Sequence, residues 1–206
     1  MSFRVSAAFA LAFTLAPSAA AAQLVFEAVS QRALGMAGAF VAVADDATAG
    51  YWNPAGLATA GPYSATIEWN RSQFGDLAVP SAPGLWRRRS THSAFGTLPV
   101  GFSANKLEEA AIVARPDGSL HAETTETRQY GLTILQTVAT GVVVGTTVKY
   151  LRGSATSVAA DGLEAGDALA QALAVRRDSK GAFDLDAGVM LDFRRARAGV
   201  TVRNVQ

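Results

Sequence analysis

The chain has 206 residues, half of them hydrophobic, and its 18 basic and 17 acidic residues leave a formal net charge of +1. That balance offers no electrostatic footprint for nucleic acid or for an acidic partner. Without a single cysteine, a disulfide framework and a thiolate metal site are both excluded.

Residues 1–22 read as a secretory signal peptide. Arg4 supplies the basic start, residues 5–16 an apolar core, and Ala20, Ala21 and Ala22 a small-residue cleavage site before Gln23. The core is shorter than the roughly 20 residues of a spanning helix, which ranks cleavage above an uncleaved anchor. No later stretch approaches a spanning helix, so the mature chain is expected to be exported. Its apolar residues are dispersed among 19 glycines. This composition suits a transmembrane β-barrel, whose signal per strand is weak.

Residues 23–32 carry no assignable pattern. From Ser30 to Ala58 the chain reads SQRALGMAGAFVAVADDATAGYWNPAGLA. Gly35 and Gly38 flank Met36 and Ala37, a spacing that lets backbone pass close to backbone because neither glycine has a Cβ. Phe40, Val41 and Val43 form a short apolar run. Asp45 and Asp46 stand where acidic caps precede a helical turn. Asn53-Pro54-Ala55-Gly56 closes the stretch, since a residue before proline leaves the helical region and Asn-Pro favours a turn. The G-x-x-G spacing is not the G-x-G-x-x-G of a dinucleotide loop, and no βαβ unit follows. A glycine-rich turn in a soluble β-protein is the other plain reading.

The same stretch resembles the N-terminal signature of the FadL/TodX-type outer-membrane transport proteins, and is at least as similar to their PorV/PorQ-type relatives. The resemblance implies a hatch segment folded inside a 14-stranded β-barrel. It makes Asn53, Pro54 and Ala55 the hatch turn in the lumen, with Gly38, Asp45 and Asp46 leading into it.

Residues 63–70 then alternate. Tyr63, Ala65, Ile67 and Trp69 fall on one side and Ser64, Thr66, Glu68 and Asn70 on the other, the period of a strand with one apolar and one polar face. Residues 71–90, containing Gly75, Pro80, Pro83, Gly84 and Arg87-Arg88-Arg89, read as a long loop. Strands are expected at 92–97 and 100–106 around a turn at Leu98-Pro99. Residues 107–120 hold the turn signal Pro116-Asp117-Gly118. Alternation returns at 124–136 and 141–152 around a short turn near 138–140. Residues 153–180 read as a long polar loop with a helical turn near 164–174. The clearest strand spans 182–193, where Phe183, Leu185, Val189, Leu191 and Phe193 alternate with Asp184, Asp186 and Asp192. A turn at 194–197 leads to a last strand at 198–205. VGTTVKYLRG, FDLDAGVMLDF and AGVTVRNV are similar to successive barrel strands of the same superfamily.

A soluble barrel would turn the apolar side inward, and an outer-membrane barrel turns it to lipid around a polar lumen. The connections alternate long and short, as external loops and periplasmic turns do, and Tyr63, Trp69 and Tyr150 suit the interfaces. The expected fold is therefore all-β: an antiparallel transmembrane β-barrel, partial at about seven strands, with an N-terminal hatch. Its divisions are a signal peptide at 1–22, a hatch at 23–61 and barrel strands at 62–206. Seven is half of fourteen, and single-chain bacterial barrels carry even numbers of strands. The expectation is an N-terminal portion of a longer protein, with a small barrel of about eight strands as the alternative.

No catalytic constellation is legible, and His92 and His121 lack metal-ligand spacing; no enzyme activity, cofactor or metal is expected. Glu68, Lys149, Asp184, Asp186 and Arg203 are expected to line the lumen. The resemblance implies passive movement of hydrophobic small molecules past the hatch, with Met36, Phe40, Val41 and Trp52 as candidate apolar ligand contacts or simple packing residues. The alternative is a PorV-like scaffold for secreted or surface proteins. Membrane lipid is an expected partner, and Arg87 to Arg89, if functional, would meet anionic lipopolysaccharide.

Overall fold

The computed structural model describes residues 29–75, 85–175, 178–193 and 196–205. The expected signal peptide, residues 23–28 of the expected hatch and the middle of the first long loop lie outside the described residues. Among the described residues seven strands follow one another: β1 (Tyr63–Phe74), β2 (Trp86–Thr97), β3 (Val100–Ala114), β4 (Leu120–Ala139), β5 (Val142–Ala159), β6 (Ser179–Phe193) and β7 (Ala196–Val202). They form one sheet in the order β1-β2-β3-β4-β5-β6-β7, each antiparallel to the next. The sheet curls into a half-barrel. Short N-terminal elements lie against its concave side: α1 (Gln31–Gly35), α2 (Ala49–Trp52) and a 3-10 helix at Pro54–Thr59. One longer helix, α3 (Ala165–Ala174), sits between β5 and β6 in sequence. No helix among the described residues is long and apolar enough to cross a membrane.

The alternation places the faces as the residue pattern requires. On the convex side Tyr63, Ile67, Trp69, Phe102 and Phe183 are exposed, as are Ile134 and Val200. On the concave side Ser103, Gln129, Thr133, Thr147, Lys149 and Asp186 are buried. Over the inner part of the sheet the exposed apolar side chains are therefore on the convex face, while the concave face buries these polar groups together with Leu107, Leu135 and Met190.

The strands run further than their apolar alternation. Arg87, Arg88 and Arg89, expected in a loop, belong to β2, where they face Ala110, Glu109 and Glu108 of β3. Residues 107–114, also expected as loop, extend β3, so that only a tight turn around Gly118 (φ +86°) connects it to β4. Residues 153–159 extend β5, and the expected helical turn is a three-turn helix. The extensions are held by ladder hydrogen bonds and ion pairs, such as Arg88 with Glu109 at 2.6 Å, which leave no period-two signal in hydropathy.

That distal part of the sheet has its own small core. Ala165, Ala168, Leu169 and Ala172 recur at the spacing of one helical face and are buried with Leu85, Ala110, Ile112 and Ala122. Ala110, Ile112 and Ala122 share the register face of Phe102 and Leu132, so α3 covers the convex side.

Candidate functional site

The site is the concave face of the half-barrel together with the segment lying on it. Five strand glycines mark where the two meet. A Cβ on Gly96 or Gly101 would lie 2.5 Å from the side chain of Leu57. One on Gly145 would collide with the Pro54-Ala55 backbone, one on Gly188 with the Asn53 side chain, and one on Gly199 would lie 2.7 Å from the Val41 carbonyl oxygen. These glycines belong to β2, β3, β5, β6 and β7, so one short turn touches nearly the whole arc. Only a curled sheet can do that.

Asn53 is extended (φ −155°, ψ 105°), as a residue before proline must be. It is fully buried. Its Nδ2 donates to the carbonyls of Val41 (3.0 Å) and Val189 (3.2 Å), and its Oδ1 accepts from the Ala55 N–H (3.1 Å). One side chain thus ties the turn to itself, to the preceding segment and to β6. Pro54 and Ala55, the other residues of the implied hatch turn, are buried beside it. Thr147 Oγ1 donates to the Gly50 carbonyl at 3.2 Å and pairs with Thr133 Oγ1 at 2.8 Å, adding a polar seat under α2.

The acidic caps behave as a clamp. Asp46 accepts from the Thr48 N–H at 2.8 Å, and both Asp45 and Asp46 hold Arg32 at 2.7 Å. The hydrogen bonds that Arg32 donates, to Asp45 first and then to Asp46, raise its pKa above its ordinary value. Gly38 adopts φ +81° after Ala37 at φ +52° and ends α1, its N–H reaching the Ala33 carbonyl at 2.8 Å. Gly35, expected to permit close packing, faces open space: nothing lies within 4 Å of its Cβ position. The left-handed turn, not a close approach, is what the G-x-x-G stretch supplies.

The four candidate ligand contacts have different settings. Phe40 and Trp52 pack edge to face with centroids 6.1 Å apart, and Trp52 Nε1 donates to the Val29 carbonyl at 3.0 Å. Val41 contributes its backbone oxygen, and Met36 is 42% exposed. Packing is the role the geometry gives Phe40 and Trp52.

The expected lining residues fall into two groups. Lys149 Nζ lies 2.6 Å from Asp186 and 3.5 Å from Asp184, all three nearly sealed from solvent. Asn204 completes the cluster: its Oδ1 accepts from Lys149 at 3.0 Å while its N–H donates to Asp186 at 3.0 Å. Arg203 lies elsewhere, its guanidinium 4.5 Å from the Tyr51 ring centroid and 5.2 Å from that of Trp52. Glu68 accepts from the Gln31 N–H at 3.2 Å, at the other end of the segment. Asp192, grouped with Asp184 and Asp186 by alternation, is instead exposed and paired with Arg197 at 2.9 Å.

Sequence reading missed Asn204, the glycine set and a second polar row, in which Glu68, His92, Asn105 and Gln129 face one another across β1 to β4. Glycines recurring at polar-face positions of strands were the available signal. His121 pairs with Ser157 at an exposed site, and among the described residues no cluster could hold a metal ion. Searched against family models, curated proteins and solved structures, the chain matches none.

Proposed function

We propose that the chain forms wall and hatch of a FadL-like outer-membrane β-barrel. It is exported by a cleaved signal peptide and passes hydrophobic small molecules by diffusion when residues 29–60 shift. The observation that carries this reading is the inversion of the sheet. Large apolar side chains are exposed on the convex face, while Lys149, Asp186 and Thr147 are buried on the concave one beneath the Asn53-Pro54-Ala55 turn. Lipid is the solvent for which such a face is suited, because an aqueous one would leave a large apolar patch without a partner. The glycine-lined seat supports a segment that docks as a unit and could leave as one, with no catalytic step involved.

A reversible lock tests the transport reading. Gln31 and Asn70 touch across the rim, and the chain has no cysteine of its own. With Q31C and N70C, a reducible bismaleimide should slow entry of a fluorescent fatty acid into vesicles carrying the full chain, and reduction should restore it. Entry at the rate of protein-free vesicles before locking would reject the reading.

A second reading, a scaffold that binds secreted or surface proteins, draws on the distal strands. β4 has 20 residues and β5 has 18, against the roughly 9–11 that a tilted strand needs to cross. The excess, braced by α3, is a rigid external platform. A partner captured by the intact chain and lost when α3 is deleted would favour it.

A further inference from the structure

Among the described residues, six buried side-chain atoms have no hydrogen-bond partner, and four of them belong to neighbouring residues. Glu68, His92 and Asn105 stand directly opposite one another across β1, β2 and β3. Ser90 precedes His92 by two positions and so shares its face. The atoms are Glu68 Oε2, Ser90 Oγ, His92 Nε2 and Asn105 Nδ2. Such atoms are rare in a folded chain, because each has given up its hydration for nothing. Four at adjacent positions of one polar row mark a place suited to a polar guest.

The two most buried members define what that guest must offer. His92 and Asn105 are 2% and 5% exposed, and Nδ1 of the ring pairs with Oδ1 of the amide. An amide oxygen only accepts, so in the neutral ring Nδ1 carries the hydrogen and Nε2 presents a lone pair. Asn105 Nδ2 presents hydrogens. An acceptor and a donor side by side are the complement of a hydroxyl, which gives one hydrogen bond and takes another. Ser90, His92 and Asn105 line a cavity of about 10 Å³ with Val29 and Leu107, space for about one water-sized atom. Val29 belongs to the hatch segment. Its lip is held by the Gln31 N–H on Glu68 Oε1 at 3.2 Å and by the Gln31 side chain on Asn70. Lifting the lip opens the niche on its apolar side, where Val29 packs.

We propose that this niche selects what passes the hatch by binding the neutral hydroxyl of an otherwise apolar molecule, such as an alkylphenol or a long-chain alcohol. The hydrocarbon body takes the place of Val29 beside Leu107. A pure hydrocarbon would leave both hydrogen-bonding groups stranded. A carboxylate would bring negative charge beside Glu68, whose Oε1 holds an uncharged donor and whose Oε2 holds none, and like charges so placed are costly. The inference rests on the transport reading above and names its substrate class.

Equilibrium dialysis against the full chain in lipid nanodiscs, with empty nanodiscs subtracted, compares a para-alkylphenol, the matching alkylbenzene and the matching alkylbenzoate at neutral pH. The phenol should bind about tenfold more tightly than the alkylbenzene, the effect of two neutral hydrogen bonds, and the benzoate should bind weakest. H92F/N105L puts apolar groups of similar shape in both places and should bring the phenol down to the alkylbenzene. Bridging Q31C and N70C should cut phenol binding while leaving His92 and Asn105 in place. Equal binding of phenol and alkylbenzene to the unaltered chain would overturn the inference and leave the niche to a single water. So would tightest binding by the benzoate, or a phenol preference that survives both H92F/N105L and the bridge. Failure of all three compounds to bind above empty nanodiscs would instead reject the transport reading itself.

Discussion

Gly188 and Gly145 do for this protein what a shaped cavity does for others: they are the places where the wall has no side chain so that the turn can occupy it. Gly188→Ala should therefore act on docking of the turn, because the added methyl meets the Asn53 amide. Overpacking of this kind costs about 1–3 kcal/mol, and protease cleavage within residues 29–60 should accelerate while the sheet persists. Gly153→Ala, with nothing within 4 Å of its Cβ position, should leave cleavage unchanged. At Lys149 the effect is electrostatic. Lys149→Met strands Asp184 and Asp186 in a sealed site, and breaking a buried pair in this way costs about 3–5 kcal/mol. The urea midpoint of folding in detergent should fall accordingly, and D184N/D186N added to K149M should recover much of the loss. Asn53-Pro54 was legible because proline restricts its neighbour whatever the fold. Gly188 was not, because a glycine in an alternating strand shows its purpose only when the opposing backbone is placed.

Elements were legible where hydropathy alternates and illegible where it does not. β6 stands out because Phe183, Leu185 and Val189 interleave with Asp184 and Asp186 on its two faces. The outer parts of β3, β4 and β5 carry charge and small residues on both faces, so hydrogen bonds hold them as strands without any written period. α3 is the exception in that region, and its core is small. Leu169→Ala removes its central buried side chain, a change that costs about 2–5 kcal/mol in a packed core. Amide exchange should rise in residues 165–174 and stay slow in β6. Equal loss of protection in both would mean that α3 and the inner sheet unfold together, and the distal platform would not be separable.

At the scale of the molecule, the three tryptophans report on the inversion of the faces. Trp69 is 77% exposed on the convex side, whereas Trp52 is buried under the concave one at 6%. With Trp86 replaced by phenylalanine, brominated lipid should quench Trp69 strongly in a W52F background and leave Trp52 emission intact in a W69F background. The half-barrel was legible from alternation and loop order, but the wrapping of five strands around one turn was not, since it depends on contacts more than 100 residues apart, such as Asn53 with Val189. The strand order has a further consequence. In a meander of seven antiparallel strands the first and last point the same way. Two copies inserted with one orientation would thus bring β7 of one beside β1 of the other in parallel, and self-closure would break the hydrogen-bonding rule that every other seam obeys. On the barrel reading, strands that closed the wall with every seam antiparallel would be odd in number and would begin opposite in direction to β1, which a second copy in the same orientation does not do.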